Sequence, residues 1–158
     1  MANSRVIKVL IVDDAETTNT LLRGLVLHVF TSRQMRVQIL QAYDGRQALD
    51  ILSKQSIDLA FLDIELPDSN GLKLLQQINR QFKSCKSIVV SANGTRENVV
   101  AAISKGALGF VVKPFNQARI NEAVANFIKQ YEATAKPQAT HAQTPCNNNP
   151  TKKTRKYK

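Results

Sequence analysis

Apolar and polar positions along this chain follow two rhythms that take turns. Residues 6–12, VIKVLIV, form a β-branched apolar run suited to a strand buried on both faces. The next stretch, DDAETTNTLLRGLVLHVF, places Leu21, Leu22, Leu25, Val26 and Val29 at helical spacing, and His28 falls among them as a packed histidine. RVQILQA (36–42) predicts a second strand, and DGRQALDILSKQ (44–55) a helix capped by Asp44. IDLAFLDI (57–64) predicts the third strand and NGLKLLQQINRQF (70–82) the third helix. SIVVSA (87–92) and GFVVKPF (109–115) predict the last two strands. TRENVVAAISKGA (95–107) and NQARINEAVANFIKQYEA (116–133) predict the last two helices.

Five strands alternating with five helices describe a doubly wound α/β fold, a parallel sheet with helices on both faces. The chain's 158 residues hold one such domain, 1–134, with little to spare. The remainder, 135–158, has Pro137, Pro145, Pro150, an Asn run and almost nothing apolar. It cannot bury enough surface to offset its ordering entropy, so the pattern predicts a disordered tail.

Charge sharpens that division. The formal net charge is +10, which by itself suggests an anionic partner. Six of the basic residues lie in the tail, which has no acids. The first 134 residues keep sixteen basic against twelve acidic side chains, a net of about +4. No apolar run approaches the length of a membrane span, and the start lacks the pattern of a secretory signal. Cys85 and Cys146 lie far apart, without metal-ligand spacing. A reducing, cytoplasmic setting is the expectation.

The chemistry lies where the strands stop. In open α/β sheets, ligands bind beyond the carboxyl ends of the strands, at the switch point in strand order. The first strand ends at Val12, so Asp13 and Asp14 emerge there; the third ends at Asp63, the fourth at Ser91, and the fifth near Lys113. In the flavodoxin-like order 2-1-3-4-5 the first and third strands are neighbours, and three carboxylates converge. Uncompensated, they would repel and raise one another's pKa values. A hard divalent cation relieves this, and Mg²⁺, which takes a few carboxylates together with waters and phosphate oxygens, is the natural choice. A carboxylate nucleophile, a metal, a lysine and a hydroxyl together suit phosphoryl transfer.

These residues resemble a known family. VDD at 12–14, the spacing Asp63–Pro67–Gly71, SA at 91–92 and KPF at 113–115 are similar to the receiver domain of two-component response regulators, of the single-domain chemotaxis-regulator kind. AYDGRQAL (42–49) and KGALGFVVKPF (105–115) agree, and the resemblance spans roughly 5–133. It implies a bacterial signalling protein that takes a phosphoryl group onto Asp63 from a histidine kinase or histidine phosphotransfer protein. It also implies Mg²⁺ held by Asp13, Asp14, Asp63 and the Glu65 carbonyl, with Asp14 the direct side-chain ligand. Ser91 is then the switch hydroxyl, Phe110 the switch aromatic and Lys113 the partner of the phosphoryl group, followed by a cis bond to Pro114. The output surface is the face of the fourth helix, fifth strand and fifth helix, open to a downstream protein or a second copy of the chain. By the same resemblance the protein catalyses only its own phosphorylation and dephosphorylation. Two features depart from the pattern: the stretch from Leu21 to Arg36 is long, and Phe110 stands where Tyr is commoner.

Plainer roles compete for each residue alone. Asp63 could cap a turn, Asp14 could cap the first helix, Ser91 could be a turn residue, and Lys113 a solvated cation. Their joint placement favours the site. A haloacid-dehalogenase-type phosphatase would need an Asp-x-Asp pair after the first strand, and a dinucleotide enzyme a Gly-rich turn there; VDDAETTN offers neither. The second functional reading is a nucleic-acid- or surface-binding module acting through the basic tail and regulated by the receiver.

Overall fold

The computed structural model describes residues 5–141, with side chains through Thr134. Its elements are β1 (Ile7–Val12), α1 (Glu16–Ser32), β2 (Val37–Ala42), α2 (Gly45–Lys54), β3 (Leu59–Asp63), α3 (Gly71–Gln81), β4 (Lys86–Ser91), α4 (Arg96–Ser104), β5 (Gly109–Val112) and α5 (Gln117–His141). All strand pairs are parallel, in the order β2-β1-β3-β4-β5. This is the doubly wound, flavodoxin-like order the sequence predicts. Each element except α5 falls within a few residues of its expected place.

The continuous apolar strands explain the layering. Leu10, Val12, Ala60, Leu62 and Val89 share one core cluster with Ala48 and Leu52 of α2, Leu74, Leu75 and Ile78 of α3, and Ala102 of α4. Side chains alternate along a strand, so Val9, Ile11, Phe61 and Ile88 face the other way, and they too are buried. α1 buries Leu22, Val26, Val29 and Phe30, and the first turns of α5 bury Ile120 and Val124. Two caps are as the sequence suggests or better: Asp44 accepts from the Gln47 amide at 2.8 Å, and Asn70 from the Leu72 amide at 2.7 Å.

Three expectations change. His28 is exposed rather than packed, and Leu21 is 52% exposed. The buried stripe of α1 runs instead through Asn19, Leu22, Val26, Val29 and Phe30, so one of its positions is polar. Asp14 does not cap α1; the N-cap is Ala15, whose amide is taken by an oxygen of Asp13 at 2.9 Å. Finally, α5 continues past Thr134 to His141. The rest of the expected tail, 142–158, lies outside the described residues. The described residues divide into two compact units, with the boundary between Ala125 and Asn126, inside α5. In the second unit the Phe127 and Tyr131 rings lie 5.6 Å apart, one turn from each other.

Candidate functional site

Parallel strands bring their carboxyl ends to one edge, and β1 and β3 are neighbours there. Asp13 follows β1 directly and Asp63 is the last residue of β3; both are buried, at 1% and 5% exposure. Asp14 is exposed. One carboxylate oxygen from each of Asp13, Asp14 and Asp63 lies within 4.8 Å of the others. Lys113 follows β5, its amide donating to the Ser91 carbonyl at 2.8 Å, and its ammonium reaches back across the edge. Nζ donates to one oxygen of Asp13 at 2.8 Å and one of Asp63 at 3.3 Å. The peptide bond from Lys113 to Pro114 is cis, as the resemblance implies.

The segment after β3 is closed on itself. The Glu65 amide donates to the other Asp63 oxygen at 3.0 Å. Gly71 donates to the Ile64 carbonyl at 2.7 Å, and Glu65 and Asn70 form an isolated antiparallel bridge. A Cβ at position 71 would overlap the Asp63 carbonyl oxygen and sit 2.6 Å from the Ile64 Cα, so only glycine fits. The Asp68 carboxylate leaves this segment to accept from the amides of Gly45 and Arg46, at 2.9 and 3.1 Å, at the start of α2. An anion there satisfies amides that have no partner within the helix and lies at the positive end of the helix dipole. The Gly45 hydrogen bond leads the causes that hold the Asp68 carboxyl below its ordinary range.

Burial is the largest single influence on both Asp63 and Lys113. It pushes the Asp63 carboxyl above its ordinary value; the Glu65 amide and Lys113 oppose that, and the charge of Asp13 adds to it. Burial alone would lower the Lys113 ammonium. The hydrogen bond to Asp13 and the charges of Asp63 and Asp13 outweigh it, so Lys113 stays above its ordinary value.

Ser91 is fully buried at the end of β4, its hydroxyl accepting from the Asn93 amide at 3.0 Å. Phe110 is half-buried on β5 and packs against the core cluster that includes Val89 and Ala102. Glu65 is exposed beside the acidic group.

Two further residues of this edge escape a reading of strand ends. Asn19, fully buried in α1, donates to the carbonyls of Asp13 and Ala42, both at 3.1 Å, and accepts from the Gln41 side chain at 2.8 Å. It ties the turn that carries the acidic pair to the end of β2. Its signal in the sequence is a polar residue on an otherwise apolar helical stripe. Asp68, the anchor of the β3–α3 segment, gives no signal beyond its place in a Pro–Asp turn.

The response regulator receiver domain model matches residues 9–125. The chain belongs to the response regulator receiver family. Similar proteins include the chemotaxis protein CheY of Listeria monocytogenes, 37% identical over 123 residues that make up 78% of this chain and 99% of that protein. CheY of Thermotoga maritima is 34% identical, over 74% of this chain and 93% of its own. Among solved structures, the CheX–CheY–BeF3–Mg²⁺ complex of Borrelia burgdorferi matches with 31% identity and a TM-score of 0.67, covering 77% of this chain and 89% of that one. The receiver domain of a LuxO-type repressor protein from Vibrio parahaemolyticus matches with 28% identity and a TM-score of 0.73, over 82% and 95%. As a receiver, the chain is a phosphoacceptor signalling protein rather than an enzyme acting on external substrates. Receivers bind Mg²⁺ at an acidic pocket and engage histidine kinases and downstream targets. Among the described residues no helix is long and apolar enough to cross a membrane.

Proposed function

We propose that Asp63 is the phosphoacceptor. The observation that carries this reading is the Lys113 ammonium held between Asp13 and Asp63, which puts one cation beside a buried carboxylate at the open edge of the sheet. A carboxylate with little water around it is more basic than usual and has less solvent to shed before attack. Its oxygen forms a bond to phosphorus as the bond to the donor's imidazole nitrogen breaks, and that nitrogen keeps the electron pair. Lys113 then faces the added negative charge, and the Glu65 amide keeps the carboxyl oriented.

The donor set is all oxygen, suited to a hard divalent ion. Asp13, Asp14, Asp63 and the Glu65 carbonyl would hold Mg²⁺, which when bound neutralises charge on the transferring group. The same residues, with Lys113, would serve self-catalysed phosphorylation and dephosphorylation. A histidine kinase or histidine phosphotransfer protein supplies the phosphoryl group, in the cytoplasm.

Output follows from the far side of the edge. A phosphoryl group draws the Ser91 hydroxyl inward, and the Phe110 ring moves into the space behind β4. The face altered is that of α4, β5 and the first turns of α5, with Arg96, Lys105, Phe110, Gln117 and Arg119. Val100 and Ile103 of α4 are 57% and 48% exposed, apolar surface that a downstream protein or a second copy would cover.

Incubation with acetyl phosphate and Mg²⁺, followed by intact mass spectrometry, tests the assignment. One acid-labile phosphoryl group is expected, absent from Asp63→Asn and absent when Mg²⁺ is chelated. Equal labelling of Asp63→Asn would overturn it.

A further inference from the structure

The five strands also share a starting edge, opposite the one that carries Asp63. The segments that lead into them bring cations together: Lys8, Arg33, Lys54, Lys83, Lys86 and Lys105. Arg33, Lys54, Lys83 and Lys86 are exposed. Helix dipoles draw cations to helix C-termini, which accounts for Lys54 and Arg80 in the last turns of α2 and α3 and for Arg33 and Lys105, the C-cap residues of α1 and α4. The others lie in connecting segments or at strand starts. Acids do not offset them. Asp58 is almost buried and already taken, by Arg5 at 2.7 Å and the Lys8 amide at 2.9 Å. Asp50 meets Lys54 at 3.1 Å on the helix surface, where water makes such a pair weak. The carboxyl edge, by contrast, collects Asp13, Asp14, Asp63, Glu65 and Asp68.

A cleft of about 390 Å³ opens within this basic edge, between the segments that precede β3 and β4. Leu52, Ile57 and Phe82 line it together with Lys54, Lys83 and several Ser and Gln side chains. Its size is that of a small-molecule site, with room for one nucleotide. Leu52 and Ile57 form its buried floor, and the surface it presents is the part-exposed Phe82 ring, neutral hydrogen-bonding groups and cations, with no acid lining it. Among the described residues the large exposed hydrophobics are Leu21, Leu27, Val100 and Ile103, on α1 and α4, so these segments offer no apolar anchor for insertion into a bilayer.

We propose that this edge binds single-stranded nucleic acid, one base entering the cleft beside Phe82 while neighbouring phosphates meet Lys54, Lys83 and Lys86. A base must be unpaired to reach such a cleft, and cations flanking an aromatic surface are how single strands are held without sequence readout. The site is independent of the phosphoacceptor chemistry at the opposite edge.

Fluorescence anisotropy of a fluorescein-labelled oligouridine, titrated with the full-length protein at several salt concentrations, tests it. The variant Lys54→Glu/Lys83→Glu/Lys86→Glu, shown by its melting curve to be folded and by acetyl phosphate to label normally, is expected to bind at least about tenfold more weakly. The slope of log affinity against log salt should fall by about 2, near 0.7 for each phosphate that is no longer neutralised. An abasic deoxyribose-phosphate oligomer of equal length should bind about tenfold or more weakly than the oligouridine, the loss of one stacked base. A full-length variant with Lys152, Lys153, Arg155, Lys156 and Lys158 changed to Gln separates the tail, and it should keep its dependence on the three lysines. The proposal is overturned if the triple variant binds like the wild type, or if tail neutralisation alone abolishes binding. It is equally overturned if the abasic oligomer binds as well, if polyglutamate displaces the RNA at equal charge, or if the protein binds phosphatidylglycerol vesicles but not RNA.

Discussion

Lys113 lies closer to Asp13 than to Asp63: its Nζ is 2.8 Å from one carboxylate and 3.3 Å from the other. The two aspartates therefore carry opposite energetic roles. Asp13→Asn removes the shorter charged hydrogen bond of a largely buried lysine, and urea unfolding should show a loss of about 1–3 kcal/mol. Asp63→Asn should stabilise the protein at pH 7. The Asp63 pKa is raised in the fold, chiefly by burial, so the folded state binds that proton more tightly than the unfolded chain does. Stability then falls as pH rises from the ordinary value of 3.8 through the raised value, and the full cost of ionisation is present at neutral pH. The advantage of the Asn variant should shrink as pH drops below that window. A variant less stable than the wild type at pH 7 would contradict this.

Asn19 gives a second prediction. Asn19→Ala leaves a buried Asp13 carbonyl without its side-chain donor and costs roughly 1–3 kcal/mol. If Asn19 also positions the acidic pair, Mg²⁺ affinity measured by fluorescence or calorimetry should weaken several-fold, on protein shown to be fully folded at the assay temperature. Unchanged affinity would confine Asn19 to holding the fold.

At Gly71 the prediction is steric. Gly71→Ala must displace the Asp63 carbonyl or the Ile64 backbone, since neither can yield as a flexible side chain would. A loss of about 1–3 kcal/mol is expected, with slower labelling by acetyl phosphate. Gly24→Ala is the control: nothing lies within 4 Å of a Cβ there, and the helix interior should gain stability slightly.

Cys85 should be chemically silent. Burial, with the charge of Asp58, pushes its thiol up to about 12. In a Cys146→Ser background, native protein should show no thiol reactive to Ellman's reagent at pH 8, and one after denaturation. Above the ordinary value of 9.0 the unfolded chain ionises first, so stability falls with rising pH by about 1.4 kcal/mol per unit until the folded thiol also titrates. Cys85→Ala should flatten that alkaline slope.

Asp68→Ala should loosen the β3–α3 segment from the start of α2. Amide hydrogen exchange at Gly45 and Arg46 should quicken, while amides in the middle of α2 stay protected. Exchange unchanged at both positions would show that water replaces the carboxylate without consequence.

The fold is legible because its signals are local and repeated. Strands buried on both faces leave unbroken runs such as VIKVLIV, and helices leave stripes such as Leu74, Leu75 and Ile78. Asp13, Asp63 and Lys113 are legible for a related reason: each stands where an apolar run stops, and the parallel order sends those stops to one edge. Asn19 and Asp68 act through partners 22 or 23 positions away, Gln41, Ala42 and Gly45, so no local pattern reveals what they hold. His28 misleads for the opposite reason. On a helix with leucines on several sides, spacing alone does not say which stripe faces the sheet, and Phe30 and Val26 take the side that the pattern offers equally to His28 and Leu21.

The stitched segment between Asp63 and Gly71 also acts as a ruler. With the Gly71 amide held by Ile64 and Glu65 bridged to Asn70, the count of residues between the end of β3 and the first turn of α3 is fixed along with their identities. One residue added inside it must either open the ring or advance α3 by one position, a turn of about 100°. That rotation would carry Leu74 and Ile78 off the sheet. The distance in sequence between the acidic edge and the third helix is thus a structural constant of this chain.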